Sequence, residues 1–215
     1  MKIHINKLHF PVTVLGYGRR IGLWFQGCSI GCAGCMSRDT WPRDERSAVD
    51  AGAVLAWCIG QAESGADGIT FSGGEPFEQP YALLFLAEQL TAWRANAQRR
   101  FDLLCFSGMK LAKLQRDFGG VLLHLDAVIP EPFRQRLPMG NRWRGSSNQP
   151  LVPLSALGRE RYSHDIEMPA QAEIQAGVSE NRLMYIGVPR RGDLTSLEQT
   201  ARERGVILEG VSWRG

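Results

Sequence analysis

Ile21-Gly22-Leu23-Trp24-Phe25-Gln26-Gly27-Cys28-Ser29-Ile30-Gly31-Cys32-Ala33-Gly34-Cys35 begins as an apolar run and ends as a cysteine-rich loop. Residues 21–25 suit a buried strand, being short, apolar and stopped abruptly. Working forward, Val54 and Cys58 stand four apart, with Val49 and Trp57 nearby on the wheel, so a helix runs from about Ser47 until Gly65 and Gly68 break it. Residues 69–71 read as the next strand and lead straight into Ser72-Gly73-Gly74-Glu75-Pro76. Leu83, Leu86, Leu90 and Trp93 recur at helical spacing to about Ala97. Residues 101–106 form a strand before a Ser107-Gly108 turn, Leu111, Leu114 and Phe118 mark a short helix face, and residues 126–129 end a further strand. Strands alternating with helices argue for an α/β fold with a parallel sheet, expected here as an open partial (β/α) barrel of about five to six mostly parallel strands. Functional loops of such folds lie at the C-terminal ends of the strands. The cysteine loop, the Gly-Gly-Glu-Pro turn and Ser107-Gly108 therefore share one rim.

Beyond residue 130 the periodicity fades. Residues 130–153 carry Arg134, Arg136, Arg142, Trp143 and Arg144, and residues 162–180 are polar. Residues 182–188 read as a strand, 194–204 as a helix and 206–208 as a last strand. The 215 residues, 44% hydrophobic and 22% charged, exclude a disordered chain, a collagen-like repeat and a coiled coil. No repeat and no linker divides them, so residues 1–215 are expected to form a single domain. No apolar run approaches about 18 residues and no leader pattern follows Met1, so a cytoplasmic protein without a membrane partner is expected. A net charge of +3 is too small to argue for nucleic acid.

The five cysteines are unevenly spread: Cys28, Cys32 and Cys35 fall within eight residues, while Cys58 and Cys105 stand alone in apolar patterns that suit core thiols. Disulfides are disfavoured in a reducing compartment, so the cluster points to metal. Zinc would need a fourth ligand, and neither His4, His9, Cys58 nor Cys105 stands at a zinc-finger spacing. Three thiolates with one position open make better sense for a [4Fe–4S] cluster whose fourth iron coordinates a small molecule.

The Cys-x3-Cys-x2-Cys spacing resembles the radical S-adenosylmethionine (SAM) superfamily. Gly73-Gly74-Glu75-Pro76, 38 residues beyond Cys35, matches that superfamily's Gly-Gly-Glu motif. The resemblance implies that Cys28, Cys32 and Cys35 hold a [4Fe–4S] cluster. It further implies that Gly73, Gly74, Glu75 and Pro76 bind the SAM amino group and that Ser107 and Asn148 line the SAM pocket. No catalytic residue is implied beyond the cluster ligands. Gly34 before the third cysteine, Thr40-Trp41 after it, the Phe106-Ser107-Gly108 turn and Trp143-Arg144-Gly145-Ser146-Ser147-Asn148-Gln149 narrow the likeness to the glycyl-radical-enzyme activases, in particular the anaerobic ribonucleotide reductase activating group. Ile129-Pro130-Glu131-Pro132-Phe133 departs from that group's Asp-Gly-Pro-Phe-like exit, and residues 160–215 have no counterpart in it.

The core is thus expected over residues 10–150, with a C-terminal extension at 160–215 packed on the same domain. The implied function is reductive SAM cleavage to a 5′-deoxyadenosyl radical that installs a glycyl radical on a partner enzyme, with flavodoxin or ferredoxin as electron donor. Radical modification of a small molecule or peptide is an alternative, and a non-catalytic metal-bearing module a remoter one. The arginines of residues 134–144 read first as a solvated surface; lying on the same rim, they could alternatively close over SAM or dock the partner.

Overall fold

The computed structural model describes residues 1–169, 174–179 and 182–213; the rest of the expected extension lies outside the described residues. The chain opens with β1 (Lys2–Val12), β2 (Arg20–Phe25) and β3 (Ala48–Asp50). Asp50 caps α1 (Ala51–Glu63), its carboxylate accepting from the Ala53 N–H at 3.0 Å. The alternation continues through β4 (Gly68–Gly73), α2 (Pro80–Asn96), β5 (Asp102–Phe106), α3 (Leu111–Asp117), α4 (Gly119–Leu122) and β6 (Ala127–Ile129). Then come β7 (Val152–Pro153), α5 (Ala156–Tyr162), the antiparallel pair β8 (Ile174–Ser179) and β9 (Arg182–Gly187), and α6 (Asp193–Glu203).

The main sheet has the order β3-β1-β2-β4-β5-β6-β7 and does not close on itself. β2, β4, β5 and β6 are parallel neighbours, whereas β1, β3 and β7 pair antiparallel. The parallel core thus holds four strands, fewer than expected. The reason lies in the C-terminal part: the expected strand at 182–188 is β9, which pairs antiparallel with β8 in a separate two-stranded sheet, while residues 13–19 are too few for a crossover and leave β1 antiparallel to β2. Residues 206–208 form no strand. Val206 and Ile207 are exposed, and Val206 N donates back to the Ala201 carbonyl of α6 at 2.8 Å.

Strand alternation sorts the parallel core into two faces. Ile21, Leu23, Phe25, Ile69, Phe71, Leu103, Cys105 and Val128 are buried in the core that includes α1 and α2 residues such as Val54, Cys58, Leu83 and Leu90. Leu104, Ala127 and Ile129 face the other way, against Trp143, Leu151 and Tyr162. Trp24 joins Val12, Val14, Leu15 and Ile186 on that second side, which brings β9 against the sheet. Gln175 of β8 adds polar ties, accepting from Thr13 N at 2.9 Å and donating to Pro11 O at 2.7 Å. No helix among the described residues is long and apolar enough to cross a membrane.

The N-terminal ends of the strands are held by a buried charge network. Asp102, opening β5, accepts from Arg20 Nη1 and Nη2 at 2.9 Å each, and both side chains are fully buried. Tyr162 Oη donates to the same carboxylate at 2.5 Å, Arg161 pairs with it, and Arg20 Nε donates to Thr70 Oγ at 2.7 Å. The network pins α5 under β2, β4 and β5, at the end of the sheet away from the cysteine loop.

Candidate cluster and cofactor site

The cysteine loop starts where β2 ends and is drawn shut by its own backbone. Gly27 N donates to Thr40 O at 2.7 Å and Cys28 N to Trp41 O at 3.1 Å. Gln26 donates through Nε2 to Pro42 O at 2.7 Å, while its own carbonyl accepts from Gln79 Nε2 at 3.0 Å. Glu78 then anchors the outer limb, Oε1 accepting from Ser29 N at 2.8 Å and Ser29 Oγ at 2.6 Å. Thr40-Trp41, singled out from the sequence, thus close the loop through their carbonyls. Glu78 and Gln79 escaped sequence reading, because nothing in a loop's spacing shows which polar side chains fold back on it.

Cys28, Cys32 and Cys35 are half-buried free thiols that line one cavity of about 120 Å³ together with Gly73, Gly74 and Glu75. Backbone amides are aimed at the sulfurs: Ile30 and Gly31 at Cys28, Phe133 at Cys32, and Ser37 N at Cys35 Sγ, 3.4 Å away. Burial pushes the Cys28 and Cys32 thiols up, and the neighbouring Glu75 carboxylate adds to the effect. These sulfurs therefore ask for a bound cation to exist as thiolates. Among the described residues no three Cys, His, Asp or Glu side chains close around a single ion. Three soft donors around a cavity, each sulfur met by an N–H, fit a [4Fe–4S] cluster better than one zinc ion.

The Gly-Gly-Glu turn lies against this loop. A Cβ on Gly73, whose φ is +97°, would stand 2.7 Å from Phe25 N, and one on Gly74 would stand 2.2 Å from Gly27 O. Both glycines are thus required for two strand exits to touch, with Gly74 N donating to Phe25 O and Glu75 N to Gly27 O at 2.9 Å each. Glu75 is 1% exposed; Oε1 accepts from Ser107 Oγ at 2.8 Å and Phe77 N at 3.1 Å, and Oε2 from Gly108 N at 2.7 Å. Burial pushes its carboxyl up to about 7 against the pull of these donors. Oε2 accepts a single bond and keeps capacity for a ligand ammonium. Pro76 is buried at the first position of the turn that follows.

Ser107 lines the same cavity, bridging Glu75 and the Met109 N–H. Asn148 does not. Its Oδ1 accepts from Ser146 Oγ at 2.8 Å and its Nδ2 donates to Pro132 O at 2.9 Å, so it braces the loop while Gln149 lines the cavity. Cys105 faces the helices, on the opposite side of the sheet from Phe106, which lines the cavity.

The arginine loop divides. Arg142 pairs with Asp165 at 2.7 Å and stacks on Trp143, and Arg144, 6% exposed, bonds to the Ile166 carbonyl. These two are thus tied back to residues 165 and 166, beside the buried Trp143 indole. Arg134 and Arg136 are exposed.

A cysteine loop and a Gly-Gly-Glu turn knitted together at the C-terminal ends of parallel strands define an iron–sulfur enzyme of the radical SAM type. The chain matches the 4Fe-4S single cluster domain family over residues 14–152 and belongs to it. Within the radical SAM superfamily it stands with the activase group, whose cofactors are a [4Fe–4S] cluster and SAM. It is 27% identical over 139 residues to the anaerobic ribonucleoside-triphosphate reductase-activating protein of Enterobacteria phage T4, covering 64% of this chain and 86% of that one. A second relative, the pyruvate formate-lyase-activating enzyme of Staphylococcus epidermidis, is 35% identical over 97 residues, 43% of this chain and 38% of that one. The solved structure of QueE from Escherichia coli aligns at 18% identity with a TM-score of 0.44, covering 99% of this chain and 80% of that one.

Proposed function

We propose that this enzyme installs a glycyl radical on a partner enzyme, in the manner of an anaerobic ribonucleotide reductase activase. The observation that carries the reading is the single cavity shared by Cys28, Cys32 and Cys35 with Gly73, Gly74 and Glu75. The three thiolates would hold the [4Fe–4S] cluster, and the Gly-Gly-Glu turn with Ser107 would hold the amino end of SAM. Held there, the cluster would supply the one-electron reduction that cleaves SAM homolytically, the chemistry by which a hydrogen atom would be removed from a glycine Cα of the partner. The chain's own task is to orient SAM: Glu75 would hold the ammonium, its carboxylate fixed in place by Ser107 Oγ and the Gly108 N–H. A reduced flavodoxin or ferredoxin would supply the electron, in the cytoplasm. The segment at 174–213 belongs on this reading to the same single domain, since Ile186 and Gln175 both pack on the β1–β2 region.

Anaerobically reconstituted protein is expected to hold about four irons and to make 5′-deoxyadenosine from SAM with dithionite. Cys28→Ala, Cys32→Ala and Cys35→Ala should each lose the iron, while Cys58→Ala keeps it. Incubation with a glycyl radical enzyme should yield the glycyl signal in electron paramagnetic resonance. Stoichiometric zinc without iron would refute the cluster; SAM cleavage without any glycyl signal would refute the partner.

A further inference from the structure

Three residues beyond Glu75 stands a second carboxylate, Glu78, which does not line the cluster cavity. Its base is rigid. Residues 76–78 form a single tight turn in which Glu78 N donates to Glu75 O at 3.0 Å. Phe77 within it is 1% exposed, its ring 5.2 Å from that of Phe118. From this base Glu78 Oε1 reaches across to the cysteine loop and takes both donors of Ser29. The next residue holds the loop's entry: Gln79 Nε2 donates to Gln26 O and His4 O at 3.0 Å each, and Oε1 accepts from His4 N at 2.8 Å. With Glu75 N on Gly27 O, residues 75–79 grip the loop at 26, 27 and 29, on both sides of Cys28.

For Cys28 this grip has a geometric side. The first amide after it, Ser29 N–H, is spent on Glu78, while the next two, Ile30 and Gly31, are aimed at the Cys28 sulfur. Fixing residue 29 fixes the turn that presents them. Groups that orient a ligand in this way help to hold the metal, and hydrogen bonds to the sulfurs help to set a cluster's potential. The electrostatic side is separate. Ser29 supplies neutral donors only, and no Lys, Arg or His pairs with Glu78 among the described residues, so its charge is left uncancelled. Glu75 and Glu78 both act on the Cys28 sulfur. Of the two, Glu75 faces the cavity, where the SAM ammonium would answer it; Glu78 does not. A fixed negative charge beside a cluster opposes the electron that reduces it, and so lowers its potential. A sulfonium accepts an electron only from a strong reductant, so that lowering serves the cleavage.

We propose that Glu78 is a positioning residue for the cluster: it holds Ser29 so that two amides face Cys28, and its unpaired charge keeps the cluster strongly reducing. This inference rests on the cluster at Cys28, Cys32 and Cys35 and not on where the radical ends. The test compares reconstituted wild type, Glu78→Gln and Glu78→Ala, with neither SAM nor partner present. Glutamine keeps an oxygen acceptor for Ser29 and removes the charge. In a dye-mediated redox titration read by electron paramagnetic resonance, Glu78→Gln should raise the ratio of reduced to oxidised cluster about threefold or more at a given potential, about 30 mV at the one-electron 59 mV per tenfold. Its iron content should match wild type. Alanine frees the limb, so Glu78→Ala should lose iron to a chelator at least about threefold faster than wild type or Glu78→Gln. Glu160→Gln removes an exposed carboxylate on α5, at the other end of the sheet, and should move neither reading. An unmoved potential in Glu78→Gln overturns the proposal, as does an equal shift in Glu160→Gln or wild-type iron release from Glu78→Ala. No partner enters these measurements, so a missing glycyl signal leaves this proposal standing, and its failure leaves the glycyl-radical reading untouched.

Discussion

Asp102→Asn probes the part of the fold that lies farthest from the chemistry. The substitution keeps the size of the side chain and removes the charge that answers Arg20, which is fully buried and bonded to Asp102 twice at 2.9 Å. Two unit charges 4 Å apart attract by about 4 kcal/mol at an effective dielectric of about 20. Breaking a buried pair from one side typically costs about 3–5 kcal/mol, because the remaining charge is stranded. Here the stranded group is Arg20, while Arg161 keeps its bond to the Asp67 carbonyl. Against a total stability of about 5–15 kcal/mol this is a large fraction. For a chain of this length it corresponds to a fall in Tm of roughly 6–20 °C. Urea titration and thermal melts by circular dichroism would read it. The pH dependence supplies a second reading. Burial opposes ionisation of Asp102, but Arg20, Tyr162 and Arg161 outweigh it and hold the carboxyl below its ordinary 3.8. A depressed carboxyl contributes stability above that ordinary value and loses it as pH falls through the lowered one. Wild type should therefore show an acid-side loss that Asp102→Asn lacks. Arg20→Met combined with Asp102→Leu should recover most of the stability, since no charge is then stranded. A loss under about 1 kcal/mol in Asp102→Asn, with an unchanged acid limb, would refute the reasoning.

Gly74→Ala should disrupt the junction between the two strand exits, because its Cβ would stand 2.2 Å from Gly27 O. A stability loss of about 1–3 kcal/mol and reduced iron loading are expected from melts and iron assay; full iron loading would show that the loops can part harmlessly. Glu75→Ala leaves Ser107 Oγ, Phe77 N and Gly108 N without their acceptor. It should keep iron, lose about 1–3 kcal/mol of stability and bind SAM more weakly by equilibrium dialysis; unchanged SAM affinity would confine Glu75 to clasping the loops.

Much of the parallel core was legible because apolar runs at strand length alternate with helical spacing, and Ile69 to Phe71 leads directly into an unmistakable turn. The antiparallel edges were not. β1 and β7 carry no long apolar run, and their direction is decided by connection length and by what the neighbouring strand leaves unpaired. Residues 206–208 show the limit from the other side: Val206-Ile207-Leu208 has strand composition, yet it stays irregular, its first N–H bonded back to Ala201 O of α6. Arg20 and Asp102 were invisible for a different reason. Each stands at the margin of an apolar strand, where a charge reads as a strand end facing water, and only the parallel register brings the two together across β4.

The same distinction separates the two halves of the arginine loop. Arg134, Arg136, Arg142 and Arg144 are indistinguishable by composition, yet two are exposed and two are anchors. What sorts them is the buried indole of Trp143. Once that ring packs edge-on against Tyr162, its flanking guanidiniums are drawn inward and must find Asp165 and the Ile166 carbonyl. Tyr162 in turn donates to Asp102. The polar network under the strand starts and the loop beside the cluster are therefore joined through one aromatic pair. Two of the loop's arginines are thus held by the same framework as the sheet, while Arg134 and Arg136 stay exposed.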